Sequence, residues 1–475
     1  MRTASLLLVF LAAKAIVLAG HAVSISCWSP IAYLWQDAAV VVVFAALEFC
    51  LESHPCVAWM VYGAAALYAA GNVPVERVLS TPLTWPMLRA ARGPLADSIR
   101  YYVTWQNALL FALVLAVAAL APLALGRFRM WPRHRLLLAL VTCVALGPVA
   151  IAHVDTRGFD RNPWTALIPL PHGRGSYREQ AAPRYVNEFH AAAAGRNIVL
   201  VSLESTAAQY LGLYGASPDV MPHLSELARS AIVFDTAYAV YPESIKGLFS
   251  ILCSAYPAFA SDAEQNASAP CRSIPAVLSE AGYRTALFHS GRFCYLGMEA
   301  IIRHRGFDAL EDAGDIGGNR QSSFGVDEPS TVARILSWID GLPVGQRFFV
   351  TYLPIAGHHP YETPDRGPFP DRDEFGRYRN ALHYGDASLG TLMAGLRSRG
   401  LDRKTLWIVL GDHGEAFGQH DGNYGHTFQV YDENVRVPFL IAAPGLLPHQ
   451  IRSRQVVSLI DTAPTVLDLA GLRAP

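Results

Sequence analysis

The sequence predicts two parts in series: an N-terminal all-α transmembrane bundle of about five helices, then an α/β domain built on a mostly parallel sheet. Three observations predict this. The first 153 residues are mostly apolar, with no Lys or Arg between Lys14 and Arg77. From about Arg157 onward the composition becomes that of an ordinary globular domain. In that second part, apolar runs of strand length alternate with helix-like segments, the pattern of a parallel sheet covered on both faces.

Of 475 residues, 52% are hydrophobic and 16% charged, against about 25% charge in a typical soluble domain. The net charge is −1. No basic stripe with interleaved aromatics is present, so nucleic acid is not an expected partner.

Apolar segments lie near 4–23, 30–51, 55–72, 105–126 and 135–153. Each approaches the roughly 20 residues that a helix needs to cross ~30 Å of hydrocarbon. The first resembles a signal peptide, with Arg2 ahead of its apolar stretch. Because four more apolar segments follow, it reads as an uncleaved first span. The third is the weakest, interrupted by Gly63 and ending at Gly71-Asn72. The competing reading is buried core helices of a soluble protein.

Arg127, Arg129, Arg133 and Arg135 fall between the last two segments and argue for a cytoplasmic loop. That places the N-terminus inside and the large C-terminal domain on the outer or periplasmic side of an inner or plasma membrane. The segment 73–104 would then lie outside, yet it carries Arg77, Arg89, Arg92 and Arg100 with Pro74, Pro82, Pro86, Pro94 and Trp85. It reads either as an interfacial stretch along the outer head groups or as a plain connecting loop.

The transmembrane part is therefore 1–153. Residues 154–195 read as a linker, broken by Pro163, Pro169, Pro171 and Pro183, with turn chemistry at His172-Gly173-Arg174-Gly175. The α/β domain occupies 196–475. Its strand-like runs are 197–203, 231–235, 284–288, 347–353, 405–410 and 437–442, and its helix-like segments 221–230, 274–281, 329–340 and 385–398. Cys27, Cys50, Cys56 and Cys143 sit in or beside the spans and read as packing residues. An outside location would permit a disulfide in the soluble part. Cys253–Cys271 is the favoured pair there, ahead of Cys294, because it closes a short loop. No Cys-x-x-Cys is present, which argues against a structural zinc knuckle.

Two strand ends carry metal-type ligands. Asn197-Ile-Val-Leu-Val-Ser-Leu runs into Glu204, and Leu406-Trp-Ile-Val-Leu-Gly runs into Asp412-His413-Gly414-Glu415. In open α/β sheets, ligands bind beyond the carboxyl ends of strands. If both runs share one sheet, an acid and an Asp-His pair converge on one cation. Mixed oxygen and nitrogen donors suit Mn, Zn or Mg. The plainer readings are an acid near a helix N-terminus for Glu204 and a polar turn for Asp412-His413. Ser244 precedes an apolar-periodic run. It reads as an N-cap, or as a nucleophile at a helix N-terminus that welcomes phosphate. His358 and His426 would hold phosphoryl oxygens or protonate a leaving alkoxide; the alternative for each is a structural histidine. His359, His289, His420 and Lys246 are weaker candidates.

Taken in order, these segments resemble the sulfatase-like branch of the alkaline phosphatase superfamily. The resemblance rests on Asn-Ile-Val-Leu-Val-Ser-Leu-Glu-Ser-Thr, Met-Pro-His-Leu-Ser-Glu-Leu-Ala, Tyr-Pro-Glu-Ser-Ile-Lys-Gly, His-His-Pro-Tyr, Gly-Asp-His-Gly-Glu and Leu-Ile-Asp-Thr-Ala-Pro-Thr-Val-Leu. Five spans ahead of such a domain look like lipoteichoic acid synthases and lipid A phosphoethanolamine transferases. The resemblance implies one divalent metal ion held by Glu204, Ser244, Asp412 and His413, with Ser244 as nucleophile and His358 and His426 on the transferred phosphoryl group. The expected activity is transfer of a phospholipid head group, phosphoethanolamine or phosphoglycerol, from a phospholipid donor to an envelope glycan or lipid acceptor. A sulfatase or phosphodiesterase hydrolase is the alternative within the superfamily. A non-catalytic envelope-binding membrane protein is the alternative outside it.

Two departures bear on the choice. The nucleophile position holds Ser where the membrane transferases carry Thr. Sulfatases need Pro and Arg at the second and fourth positions after the nucleophile, where this chain has Lys246 and Leu248; Glu204 also stands where they carry paired aspartates. The chain stops soon after Leu472 where relatives commonly run on, as in a compact member or one lacking its C-terminus.

Overall fold

Long apolar runs satisfy their own backbone groups as helices, and among the described residues five such helices form at the N-terminus. They are α1 (Arg2–Leu18), α2 (Ser29–Cys50), α3 (Pro55–Leu79), α4 (Trp105–Arg127) and α5 (Arg133–Ile151). The structure is a computed structural model that describes residues 1–19, 23, 25–79, 82–83, 103–127, 133–154, 156, 159–167, 189–257, 269–320, 325–420, 423–426 and 430–473. It divides into two compact units, Met1–Pro171 and His172–Pro475.

Among the described residues, four helices, α2 to α5, are long and apolar enough to cross a membrane. The expected first span is shorter: α1 has 17 residues and ends where Ala19 turns extended. It spans about 26 Å at 1.5 Å per residue, and it buries Leu6, Val9, Phe10 and Val17 among its neighbours. The weakest predicted span is instead the longest helix of the five, since α3 runs on through Pro74 to Leu79. The rest of the arginine-bearing segment 73–104 lies mostly outside the described residues. Leu109, Leu113, Leu120 and Leu123 of α4 and Leu138, Val141 and Val149 of α5 remain exposed. Helices that stay apolar all round suit hydrocarbon.

Beyond Arg2 at its first position, α1 carries one further cation, Lys14. Its Nζ donates to the carbonyls of Phe159 (2.9 Å) and Arg161 (2.6 Å) and lies 3.4 Å from Asp37 Oδ2. Asn162 Nδ2 donates to Asp37 Oδ1 at 2.6 Å. These contacts fold residues 159–162, which the sequence assigns to the linker, back onto the helices.

The second unit is an eight-stranded sheet. Its strands are β1 (Asn197–Leu203), β2 (Ala231–Tyr238), β3 (Arg284–His289), β4 (Ala309–Glu311), β5 (Phe348–Leu353), β6 (Thr405–Gly411), β9 (Phe439–Ala442) and β10 (Ile451–Ser458); β7 (Ala416–Phe417) and β8 (Tyr424–Gly425) form a separate hairpin. The order is β10-β2-β9-β6-β1-β5-β3-β4. Only β9 runs antiparallel to its neighbours. β1 lies at the centre, buried along its whole length. Successive side chains of a strand point to opposite faces, and β1 divides accordingly: Val199, Val201 and Leu203 enter one core cluster, Ile198 and Leu200 the other.

Among the described residues, the helices of six or more residues here are α6 (Pro222–Leu227), α7 (Ser244–Cys253), α8 (Ile274–Glu280), α9 (Glu328–Asp340), α10 (Glu374–Ser398) and α11 (Thr462–Leu469). α6, α9 and α10 cover one face through Leu224, Ile335 and Leu392. α7, α8 and α11 cover the other through Ile251, Val277 and Val466. α10 begins well before the expected 385, capped by Asp373, whose side chain accepts from Gly376 N at 2.7 Å. A Cys253–Cys271 disulfide ties the end of α7 to the segment before α8 across 18 residues.

Candidate active site

β1 and β6 are parallel neighbours with Leu203 opposite Gly411. The residue after each, Glu204 and Asp412, therefore leaves the sheet side by side. Asp412 Oδ1 accepts from Ser205 N (3.0 Å) and His413 N (2.7 Å). His413 Nδ1 lies 2.9 Å from the Gly414 carbonyl. A carbonyl only accepts, so Nδ1 carries a proton and Nε2 is the nitrogen that faces the acids and would bind a cation on losing its own proton. Nε2 stands 3.5 Å from Glu204 Oε1 and 3.8 Å from Asp412 Oδ2. The ligand atoms of Glu204, Asp412 and His413 all lie within 4.8 Å of one another.

Ser244 is the first residue of α7, with Glu243 at the cap position and no side-chain cap bond there. The N-cap reading thus gives way to another use of the hydroxyl. Ser244 Oγ donates toward Glu204, 3.0 Å from Oε1 and 3.1 Å from Oε2, and lies 3.1 Å from His413 Nε2. The helix brings its positive N-terminus to the same place. α7 approaches this closely because position 247 is glycine: a Cβ there would lie 3.0 Å from the Asp412 carbonyl.

The hairpin positions His426. Ala416 pairs with Gly425, which brings the flanking Glu415 and His426 together, with Glu415 Oε2 2.7 Å from His426 Nδ1. Tyr361 Oη donates to Glu415 Oε1 at 2.9 Å. The His426 ring centroid is 4.2 Å from that of His413 and 6.3 Å from that of His358. His358 follows β5, with Nδ1 2.6 Å from the His359 carbonyl.

The electrostatics fit a cation. Burial and the Glu204 charge push the Asp412 carboxyl up to about 7. Burial opposes charge on His413, yet Asp412 and Glu204 outweigh it and raise the imidazole to about 10. Burial also opposes ionisation of Glu204, but the His413 hydrogen bond and the neighbouring histidines hold its carboxyl below the usual range. Two buried acids thus share one imidazole as their ion-pair partner. A divalent ion would relieve that excess, and the donor set of two carboxylates and one imidazole is suited to one. Burial pushes the His358 imidazole down.

The structure therefore brings Glu204, Ser244, Asp412, His413, His358 and His426 to one place. The weaker candidates serve elsewhere. His289 bonds the Leu353 carbonyl through Nδ1 (2.9 Å). His420 pairs with Glu433 and stacks on Tyr431. His359 lies 3.8 Å from Glu374, and Lys246 lies 3.2 Å from Glu243. The sequence reading missed the orienting roles of Glu415 and Tyr361. Glu415 stood within a quoted motif, but its pairing with His426 appears only once the hairpin register is known.

A parallel sheet with an acid, an Asp-His pair and a hydroxyl gathered at its carboxyl ends is the architecture of the alkaline phosphatase superfamily. The sequence model of the sulfatase family matches residues 196–472, and the chain belongs to that family of enzymes. Among curated proteins it is similar to lipoteichoic acid synthase 2 of Bacillus subtilis (strain 168), 25% identical over 307 residues, covering 60% of this chain and 46% of that protein. The lipoteichoic acid synthase-like protein YvgJ of the same organism is 23% identical over 302 residues, covering 59% and 48%. The chain spans about half the length of these two relatives. Among solved structures, the lipoteichoic acid synthase LtaP from Listeria monocytogenes superposes with a TM-score of 0.54 at 20% identity, covering 61% of this chain and 75% of that one. At that identity the likeness is one of fold.

Proposed function

We propose that the protein is a membrane-anchored, metal-dependent phosphotransferase. It moves a phospholipid head group, phosphoethanolamine or phosphoglycerol, to an envelope glycan or lipid through a phospho-Ser244 intermediate. One observation carries this reading: a hydroxyl at a helix N-terminus lies 3.0 Å from Glu204 and 3.1 Å from His413 Nε2, at the edge of the metal-type triad. The two lipoteichoic acid synthase relatives support it.

Glu204, Asp412 and His413 would hold the cation; when bound, it supplies the charge that favours ionised Ser244 and offsets the negative oxygens of transfer. Ser244 Oγ attacks phosphorus as the bond from phosphorus to the diacylglycerol oxygen breaks. His426, oriented by Glu415, and His358 hold phosphoryl oxygens and return a proton to the leaving alkoxide. An acceptor hydroxyl, passing its proton back to the same histidine pair, then attacks the same phosphorus and Ser244 Oγ leaves. The helices keep the site near its lipid donor, which raises effective concentration. The arginines at and between the facing ends of α4 and α5 (Arg127, Arg129, Arg133 and Arg135) and the Cys253–Cys271 bridge both support an outer or periplasmic location for the second unit.

A sulfatase reading is disfavoured by Lys246 and Leu248, which replace the Pro and Arg that direct formylglycine formation in sulfatases. Intact-mass analysis and peptide mapping of the full chain after incubation with mixed phospholipids tests the proposal. The expected result is a phosphoethanolamine or phosphoglycerol adduct on Ser244. Formylglycine at Ser244 would support the sulfatase instead, and a protein that takes neither metal nor adduct would overturn both.

A further inference from the structure

We infer that Glu328 is a positioning residue of this site, holding through its carboxylate the loop that carries His358 and packs under Glu204. The inference rests on the proposed role of His358 at the transferred phosphoryl group.

Glu328 is the first residue of α9, far from the metal-type ligands in sequence, and is 1% exposed. Its Oε1 accepts from Ser290 Oγ (2.9 Å), Ile355 N (2.8 Å) and Ala356 N (3.0 Å). Its Oε2 accepts from the Tyr352 hydroxyl. These donors come from the end of β3, from β5 and from the segment after β5. All are neutral, so hydrogen bonds alone oppose the burial, and only in part: burial pushes the Glu328 carboxyl up to about 7. An apolar side chain would fill the space more cheaply. The acid earns its place by what it holds.

What it holds is backbone with no ladder to join. β5 ends at Leu353, and the amides of Ile355 and Ala356 need acceptors. Glu328 Oε1 accepts from both, sharing the Ile355 amide with Ser290 Oγ (2.8 Å), a hydroxyl that the same oxygen orients. The next bonds follow directly: Ile355 O accepts from His358 N at 2.9 Å, and Gly357 packs so tightly on the Glu204 carbonyl that a Cβ there would overlap it. A fixed pair of amides thus sets how closely the loop packs against Glu204 and where the His358 side chain starts. Misplacement of a contact group by even ~1 Å can cost about 100-fold in rate.

The test uses the full-length, metal-loaded protein in detergent, with a lipid-donor transfer assay on His358→Ala, Glu328→Ala, Glu328→Gln and the double variant Glu328→Ala/His358→Ala. Glu328→Ala is expected to lower kcat roughly 10- to 100-fold, with KM and bound metal within about twofold of the parent. Amide hydrogen exchange at 355–358 should quicken at least about tenfold. Glu328→Gln should recover most of the rate, since its oxygen can accept from the two amides while its nitrogen donates to Tyr352. The double variant should be no slower than His358→Ala. Should Glu328→Ala fail to fold, Glu328→Asp carries the same comparison, keeping the charge but withdrawing it from the amides. A double variant whose losses multiply, or a Glu328 variant with faster exchange but parental kcat, overturns the inference. Parental turnover in His358→Ala would instead remove the proposed role of His358, and this inference with it.

Discussion

Ser244 Oγ and His413 Nε2 lie 3.1 Å apart, and the same ring nitrogen stands 3.5 Å from Glu204 Oε1. Nucleophile and metal-type ligands share one edge, yet the hydroxyl lies outside the triad of two carboxyls and one imidazole that would hold a cation. Ser244→Ala should therefore abolish turnover, by at least ~1000-fold, while the purified protein keeps its metal. Elemental analysis beside the transfer assay checks this, and loss of metal in that variant would make Ser244 a structural ligand only.

Asp412 spends Oδ1 on two backbone amides and turns Oδ2 toward His413. Asp412→Asn can keep the first arrangement but removes the charge. It should weaken metal binding at least about tenfold, read by competition with a chelator. The parent protein treated with the same chelator should unfold at a lower temperature, because metal bound only to the native state stabilises it.

His289 is buried beside the Leu353 carbonyl, and burial holds its imidazole below the ordinary range. Its folded pKa is depressed, so the unfolded chain binds the extra proton first as pH falls. The native state should lose stability from about pH 6.5 downward. This one group accounts for a slope of up to about 1.4 kcal/mol per pH unit until its folded pKa is passed. Thermal unfolding from pH 7.5 to 5 should show a shallower loss in His289→Gln; equal slopes would show that His289 takes up its proton alike in the folded and unfolded chain.

The Cys253–Cys271 bridge closes 18 residues next to the helix that begins with Ser244. Loop-closure entropy puts its contribution at about 3 kcal/mol. Replacing both cysteines by serine should lower the midpoint of chemical unfolding of the second unit and leave the Ser244 adduct chemistry in place below that midpoint.

The strand ends were legible because apolar runs stop abruptly at Glu204 and at Asp412-His413. Their meeting was not legible from either run, since the β1–β6 pairing joins residues more than two hundred positions apart. β10 escaped notice because Arg452, Arg454 and Gln455 break its apolar pattern, as suits an exposed edge strand. The early half of α10 was hidden by Gly376, Gly385 and its polar face. Glu328 looks in sequence like any acid in the first turn of a helix; nothing local to it announces a role at β5. Lys14 interrupts an apolar run, and only the fold supplies Asp37 and the two carbonyls that make it tolerable. The shortness of α1 was hidden for the opposite reason, because the apolar composition continues past the point where the backbone turns.

Gly357 rests against the carbonyl of Glu204, one position before His358. The floor beneath the metal acid and the stalk of the phosphoryl-contacting histidine are consequently a single packed object. Selection acting on this chain has no separate dial for metal preference and for transfer rate. A descendant that changes one must carry a compensating change for the other, and position 357 should be the last in the loop to accept a side chain.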